Sequence, residues 1–316
     1  MPVEQNVPRV LFDGQHLQLL HVARGGSLRL LTFDIMHARA NGRNAFAKSL
    51  CERLGYDLLA IVPKHPCWYP AAEMQRIVPI CLALGGPLTV AYGASMGGYG
   101  ALRWGRALGA DHALVCSPQD SIDPTVTGAH DQRYARHFRA DLHRGMEVDA
   151  ENLPANSIVL HDPHFRQDRF HADRLKAAGA KLLALPHMGH RTVETVAGSA
   201  HAERVFQDLL AGDLSSLRRR LLARRKENQS YRLHLASHAI QRGRHATAER
   251  VVSTVTDPWS YHRLMARLAA ARQDAATEAL HYQQALAAKP GCKLTRLRLE
   301  RLGQDVTLSF AKVIQA

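Results

Sequence analysis

One stretch constrains this chain more than any other: LTVAYGASMGGYGAL, residues 88–102. Its apolar start lacks polar alternation, which is how a strand buried on both faces reads. The run breaks at Gly93-Ala94-Ser95-Met96-Gly97 and continues as a helix rich in small residues. In a G-x-S-x-G turn of this kind, strand and helix pass so closely that only glycine-sized neighbours fit, and the serine is forced into unusual backbone angles. The strain lifts the Ser95 hydroxyl above the strand end, and the amide of Met96, at the head of the helix, points the same way.

The first two-thirds of the chain supplies a sheet to hold such a turn. Apolar runs recur at 28–33, 58–63, 88–93, 112–118, 157–163 and 181–187, with helical patterns at 44–54, 70–84, 96–108, 169–178 and 192–210. This alternation predicts an α/β fold: a mostly parallel sheet with helices on both faces. Segments around 10–12 and 17–22 read as a leading hairpin or meander. Residues 125–150, with DQRYARHFRADLHRG, read as an amphipathic helical insertion over the C-terminal strand ends, where ligands bind in open sheets; it is either a lid or a passive decoration. After residue 212 the strands stop, and helices are expected at 214–227, 231–241, 246–255, 262–272, 275–289 and 293–302. The expected division is a domain over 1–212 and a small all-α module over 213–316.

Composition narrows the classes. With 46% hydrophobic and 22% charged residues the chain can bury a substantial core. It has no apolar run of about 18 residues, the length of a membrane-spanning helix. Residues 1–6 lack the basic start of a secretory signal. Five cysteines (Cys51, Cys67, Cys81, Cys116, Cys292) without a CxxC pair suggest neither a zinc ribbon nor a disulfide framework, and the expected location is cytoplasmic. The net charge of +13 is uneven: residues 213–316 hold 19 Lys+Arg and 8 Asp+Glu, the remainder 22 and 20. So basic a module is either a solvated Arg-rich surface or a docking face for an acidic protein partner or anionic membrane. Nucleic acid is not the expected partner.

On the strand before Ser95 and GGYGAL after it, residues 28–210 resemble the α/β-hydrolase family. The resemblance implies a nucleophile, an acid and a histidine in that chain order, each following its own strand. A serine hydroxyl is a poor nucleophile without a base, and the base needs an orienting carboxylate. Gly189-His190, after the last apolar run, matches the family's base; His187 competes but lies nearer the strand and lacks the glycine. For the acid, Asp162 in the strand-end Asp-Pro pair is preferred to Asp168, which stands where a helix N-cap is expected. The oxyanion donors implied are the amides of Met96 and of Asp34 or Ile35. The familiar HGGG run is absent, and Phe33, Ile35 and Met36 would narrow the site. Trp68 and Tyr69 in HPCWYPAAE, and Gln119 in SPQDSID, fall on the same side as candidate substrate-pocket residues, with Ser117 and Asp120 beside Gln119. His161, His164 and His171 with Asp162 and Asp168, and His187 with His190, invite a metal, but H-x-x-H does not place both rings on one helical face and these residues fall in loops. No metal and no cofactor is expected.

The implied activity is that of a serine hydrolase cleaving a carboxylic ester or thioester, a small-molecule, lipid or sugar ester, through an acyl-enzyme. The alternatives are an acyltransferase with the same residues, or a non-catalytic hydrolase-like scaffold. In the tail, Leu235, Ala236, Gly243 and Ala248, then Ala266, Tyr282, Ala285 and Pro290, resemble the spaced positions of tetratricopeptide-like helical hairpins, with Glu278 where a small residue is expected and Ala279 one place late. YGASMGGYGAL with SPQDSID and such a tail is also similar to hydrolase-like proteins of bacterial surface-polysaccharide loci.

Overall fold

The computed structural model describes residues 7–303; the stretch read for a secretory signal and the end of the basic module, residues 304–316, lie outside it. Strands β1 (Arg9–Asp13) and β2 (Leu17–Val22) form the leading hairpin. Next come β3 (Leu28–Phe33), α1 (Lys48–Leu54), β4 (Asp57–Pro63), α2 (Ala71–Ala83), β5 (Leu88–Ala94), α3 (Met96–Trp104) and β6 (His112–Cys116). The short helices α4 (Pro124–Thr127) and α5 (Ala140–His143) precede β7 (Asn156–His161), α6 (Arg166–Ala177), β8 (Lys181–Ala184), α7 (Ser199–Leu210) and α8 (Leu214–Arg225).

The strands make one sheet in the order β1-β2-β4-β3-β5-β6-β7-β8. β1 and β2, and β2 and β4, are antiparallel, and every other pair is parallel. This is the α/β-hydrolase fold. Every residue of β3 and β4 is buried, as is every residue of β5 after Leu88, which is why these runs carry no polar alternation. From β3 the chain steps outward to β4, then returns past β3 to β5. The crevice of an open sheet forms where the winding reverses, at the C-terminal ends of β3 and β5. Ser95 follows β5, and Asp34 and Ile35 follow β3.

Close approach holds this crevice together. A Cβ on Gly97 would lie 2.1 Å from the Phe33 carbonyl oxygen, and one on Gly93 would lie 2.3 Å from that of Gly97. α3 thus rests directly against β3 and β5, as only glycines permit.

Two expected helices come out differently. The 125–150 insertion is mostly irregular, with α4, α5 and a 3-10 turn at Ala135–His137. Asp131 and Arg133 within it reach inward to tertiary partners, as described below, while Arg139 and Asp141 pair with each other at the surface. The 192–210 pattern breaks at Gly198 (φ 97°) into a 3-10 turn, Thr192–Val196, and α7. By their contacts the described residues fall into two units, divided between Arg225 and Lys226. α8, read from sequence as the start of the basic module, instead packs on α7, with Leu217 and Leu221 buried and Arg220 paired to Asp208 at 2.7 Å.

In the second unit, α9 (Gln229–Gln241) packs against α10 (His245–Val252), and α11 (Pro258–Ala271) against α12 (Ala275–Ala288), followed by α13 (Lys293–Arg301). Ala236 and Ala248 are buried in one small core, Ala266 and Tyr282 in another. Ala279, and not Glu278, is the buried member of its pair, so the place one residue late is the one facing inward. Among the described residues no helix is long and apolar enough to cross a membrane.

Candidate active site

Ser95 stands between β5 and α3 with φ 52° and ψ −122°, a conformation L-residues rarely adopt. Its amide donates to the Cys116 carbonyl at 2.9 Å, which ties the turn to the end of β6. The hydroxyl is directed at His190, with Oγ and Nε2 2.9 Å apart. His190 sits in the turn after β8, just past Gly189 (φ 55°). His187 points elsewhere and stacks on His164, ring centroids 4.7 Å apart.

The carboxylate behind His190 is Asp168, not Asp162. His190 Nδ1 lies 2.8 and 2.9 Å from the Asp168 oxygens. Asp168 is buried in the first turn of α6, where the helix dipole favours an anion. Nor is it the N-cap: Phe165 holds that position and makes no side-chain cap. Asp162 faces the other way along the loop, accepting from the amides of Gly189 at 2.7 Å and His164 at 2.9 Å. It orders the turn that carries His190 without touching the ring.

The insertion contributes residues that the sequence did not single out. Arg133 Nη2 donates to Asp168 at 2.9 Å and to Asp131 at 2.7 Å, and its Nη1 lies 3.4 Å from His190 Nδ1. Asp131 Oδ2 meets His171 Nε2 at 3.0 Å, while His171 Nδ1 meets Asp120 Oδ1 at 2.6 Å. Arg174 closes the chain on Asp120. Burial opposes charge on Asp131, but bonds from His171 and Arg133 outweigh it and hold this carboxyl far below the usual range. Burial likewise opposes a proton on His171, yet its two carboxylates raise its pKa above the ordinary value. The result is a row of alternating charges that runs from the exposed Arg174 through buried Asp120, His171 and Asp131 and the part-buried Arg133 to Asp168. Tyr134, next in the insertion, brings its hydroxyl to 3.3 Å from His190 Nε2 and 3.5 Å from Ser95 Oγ. The available signal was Asp131-Gln132-Arg133-Tyr134 itself, an acid, a base and an aromatic placed over the strand ends.

Of the expected pocket residues, Gln119 alone reaches the serine, its Nε2 lying 3.3 Å from Ser95 Oγ. Trp68 is 1% exposed; its indole N–H donates to Gln119 Oε1 at 3.3 Å, and its ring packs on Tyr134, centroids 5.3 Å apart. It backs the site and does not line it. Tyr69 lies in the core beside Gly100 and Phe33, its hydroxyl donating to the Asp34 carbonyl at 2.5 Å. Full burial therefore rules out both aromatics as a pocket wall in this state. Ser117 (φ 46°) and Asp120 are also buried, bound to Thr192 and to His171 respectively.

For the oxyanion, Asp34 is excluded, because its amide donates to the Ile61 carbonyl at 3.3 Å, prolonging the β3–β4 pairing by one residue. Among the described residues the amides of Ile35 and Met96 donate to no protein acceptor. Met96 is the first residue of α3, whose leading amides have no partner within the helix.

Burial pushes the Asp34 carboxyl up to about 6, although the Phe46 amide, 2.9 Å away, favours its anion. The folded chain thus holds this proton more tightly than the unfolded chain does. Its contribution to stability is complete below about pH 4 and is lost as pH rises through the folded value. Asp34→Asn keeps an oxygen for Phe46 and should add roughly 2–3 kcal/mol of stability at pH 8 and nothing at pH 4. Urea unfolding at the two pH values measures this; an equal gain at both would mean that charge burial is not its cause.

No family model and no curated protein matches the sequence. Solved structures similar to the chain include a capsule O-acetyltransferase of Neisseria meningitidis serogroup A, at 15% identity over 63% of this chain and 93% of that one, with a TM-score of 0.46. A hormone-sensitive lipase from a metagenome library matches at 14% identity over 69% and 86% of the two chains, TM-score 0.42. The α/β-hydrolase domain-containing protein 10 from mouse matches at 11% identity over 66% and 99%, TM-score 0.42. At such identities and scores the chemistry of this chain rests on its own geometry.

Proposed function

We propose that this protein cleaves a carboxylic ester or thioester through an acyl-enzyme on Ser95. The observation that carries the reading is the unbroken contact from Ser95 Oγ through His190 to Asp168 at a strained strand–helix turn. Ser95 attacks the acyl carbon and passes its proton to His190 Nε2. Asp168 holds the imidazole in the tautomer with a proton on Nδ1 and stabilises the cation that forms. The amides of Met96 and Ile35 hold the oxyanion. His190 then protonates the leaving oxygen or sulfur, and water, or an alcohol in an acyl transfer, releases the acyl group. The first unit contains every residue used here. A cytoplasmic location and tetratricopeptide-like hairpins in the second unit belong to the same proposal. So does a protein partner for that unit: Arg263, Arg267 and Arg298 line a groove of about 370 Å³ with Glu278 and Tyr282, a surface suited to an acidic segment.

The test is labelling of the wild-type protein with a fluorophosphonate, which reacts only with an activated serine. One label per chain is expected, on the peptide containing Ser95. Folded protein that takes up no label would leave the hydrolase domain a scaffold.

A further inference from the structure

Ser95 Oγ carries one proton and two lone pairs. The proton is committed to His190 Nε2, at 2.9 Å. Two donors face the lone pairs: the Gln119 amide at 3.3 Å and the Tyr134 hydroxyl at 3.5 Å. Attack on an acyl carbon needs one lone pair free, so one donor must withdraw. Gln119 is fully buried, and its oxygen is held by the Trp68 indole. Tyr134 makes the longer contact and belongs to an irregular, partly exposed segment. Tyr134 is the donor that lets go.

It need not go far. Its hydroxyl is 3.3 Å from His190 Nε2, the atom that returns the proton to the leaving oxygen. An ester's alcohol oxygen, once the tetrahedral intermediate has formed, must lie within reach of both the serine oxygen and this nitrogen. The Tyr134 hydroxyl occupies such a place now. Its ring is held between Trp68, 5.3 Å away by centroids, and the Arg133 guanidinium at 5.1 Å, so a small rotation keeps the hydroxyl beside an incoming oxygen. Burial also raises the phenol's pKa, which keeps it a donor.

We infer that Tyr134 donates a hydrogen bond to the alcohol oxygen of the substrate, and that the site is built for esters of aliphatic alcohols. The inference rests on the reading of Ser95 as an acyl-enzyme nucleophile. The step balances without Tyr134 giving up its proton. The acyl C–O bond breaks, the electron pair goes to the alkoxide oxygen, and the proton that His190 took from Ser95 moves onto it. Tyr134 stabilises the charge that develops on the oxygen before this proton arrives. A p-nitrophenoxide spreads its charge over the ring and needs no such help; an ethoxide does. Tyr134 is therefore a catalytic residue whose effect depends on the leaving group.

The experiment compares kcat/KM of wild type and Tyr134→Phe on p-nitrophenyl and ethyl esters of the same acids, acetate through octanoate. Tyr134→Phe should lose about ten- to hundredfold on the ethyl esters, the range of one hydrogen bond to a charged group. On the p-nitrophenyl esters it should change by less than about threefold. Fluorophosphonate labelling of the variant reports that Ser95 and His190 remain assembled. Equal losses on both classes would reduce Tyr134 to a packing residue, and no loss on either would remove it from the reaction. A wild-type protein that takes the label but cleaves no ethyl ester would overturn the assignment to aliphatic alcohols. An unlabelled wild type would instead retire the reading of Ser95 on which the inference rests.

Discussion

Ser95→Ala should lower turnover of any ester this protein cleaves by about six orders of magnitude, and adding His190→Ala should cost almost nothing more. The two side chains share one proton across 2.9 Å, so neither has a catalytic use without the other. What survives should be about a thousandfold over water, from amides that can still hold an oxyanion and from binding alone. Stability should hardly move. Ser95 is strained by its backbone, at φ 52°, and alanine at that position carries the same strain. The hydroxyl's three contacts, to His190, Gln119 and Tyr134, are the loss, partly offset by relief of crowding at a polar cluster. Single-turnover rates on a p-nitrophenyl ester, beside thermal unfolding of the same samples, measure both quantities. A single variant within about a hundredfold of wild type, or a double variant far below both singles, would show that Ser95 and His190 do not act as a unit.

Ser95 and His190 were legible in the sequence because each lies in a turn with its own local chemistry. The elbow needs glycines at 93 and 97 for reasons of space that any reader of the strand before them can state, and the structure shows those spaces as 2.3 and 2.1 Å. Gly189 marks the second turn by its positive φ. The buried strands were legible from their lack of alternation. What could not be read depends on relations between distant segments. The Asp34 amide is consumed by the register of β3 on β4, which no local pattern encodes. An aspartate in the first turn of a helix is ordinary, so Asp168 differs from a dipole-stabilising acid only through where α6 points relative to the turn after β8. The insertion misled for a related reason. Its charged residues repeat as on a helix surface, but Asp131 and Arg133 are spent on His171 and Asp168. Trp68 and Tyr69 lie near the crevice, as their position after β4 suggests, yet on its buried side.

Asp168→Asn should lower turnover by about four orders of magnitude, whereas Asp162→Asn should leave it within about tenfold and weaken the fold instead. Asp168 accepts a hydrogen bond from the protonated Nδ1 of His190 at 2.8 Å. An asparagine there can offer its own N–H to Nδ1, which locks the ring with its proton on Nε2, facing Ser95, where it cannot serve as a base. The variant also removes a negative charge from between His190 and Arg133, leaving the Arg133 Nη1 3.4 Å from a ring that must become a cation during the reaction. Both effects act on turnover. Asp162 has a different task, since its oxygens take the amides of Gly189 and His164 at 2.7 and 2.9 Å, and it is buried. Asparagine has one acceptor oxygen for those two amides, so one of them loses its partner at a cost of about 1–3 kcal/mol. The turn bearing His190 should loosen slightly without changing the imidazole's tautomer. Steady-state kinetics and urea unfolding of the two variants separate the cases. Asp168→Asn should show a large kinetic loss and an unfolding midpoint close to wild type's or modestly lower, and Asp162→Asn a lowered midpoint with nearly normal turnover. A four-decade kinetic loss in Asp162→Asn with Asp168→Asn nearly normal would return the acid to the strand end and show that the Asp168–His190 contact is not the one used in the reaction.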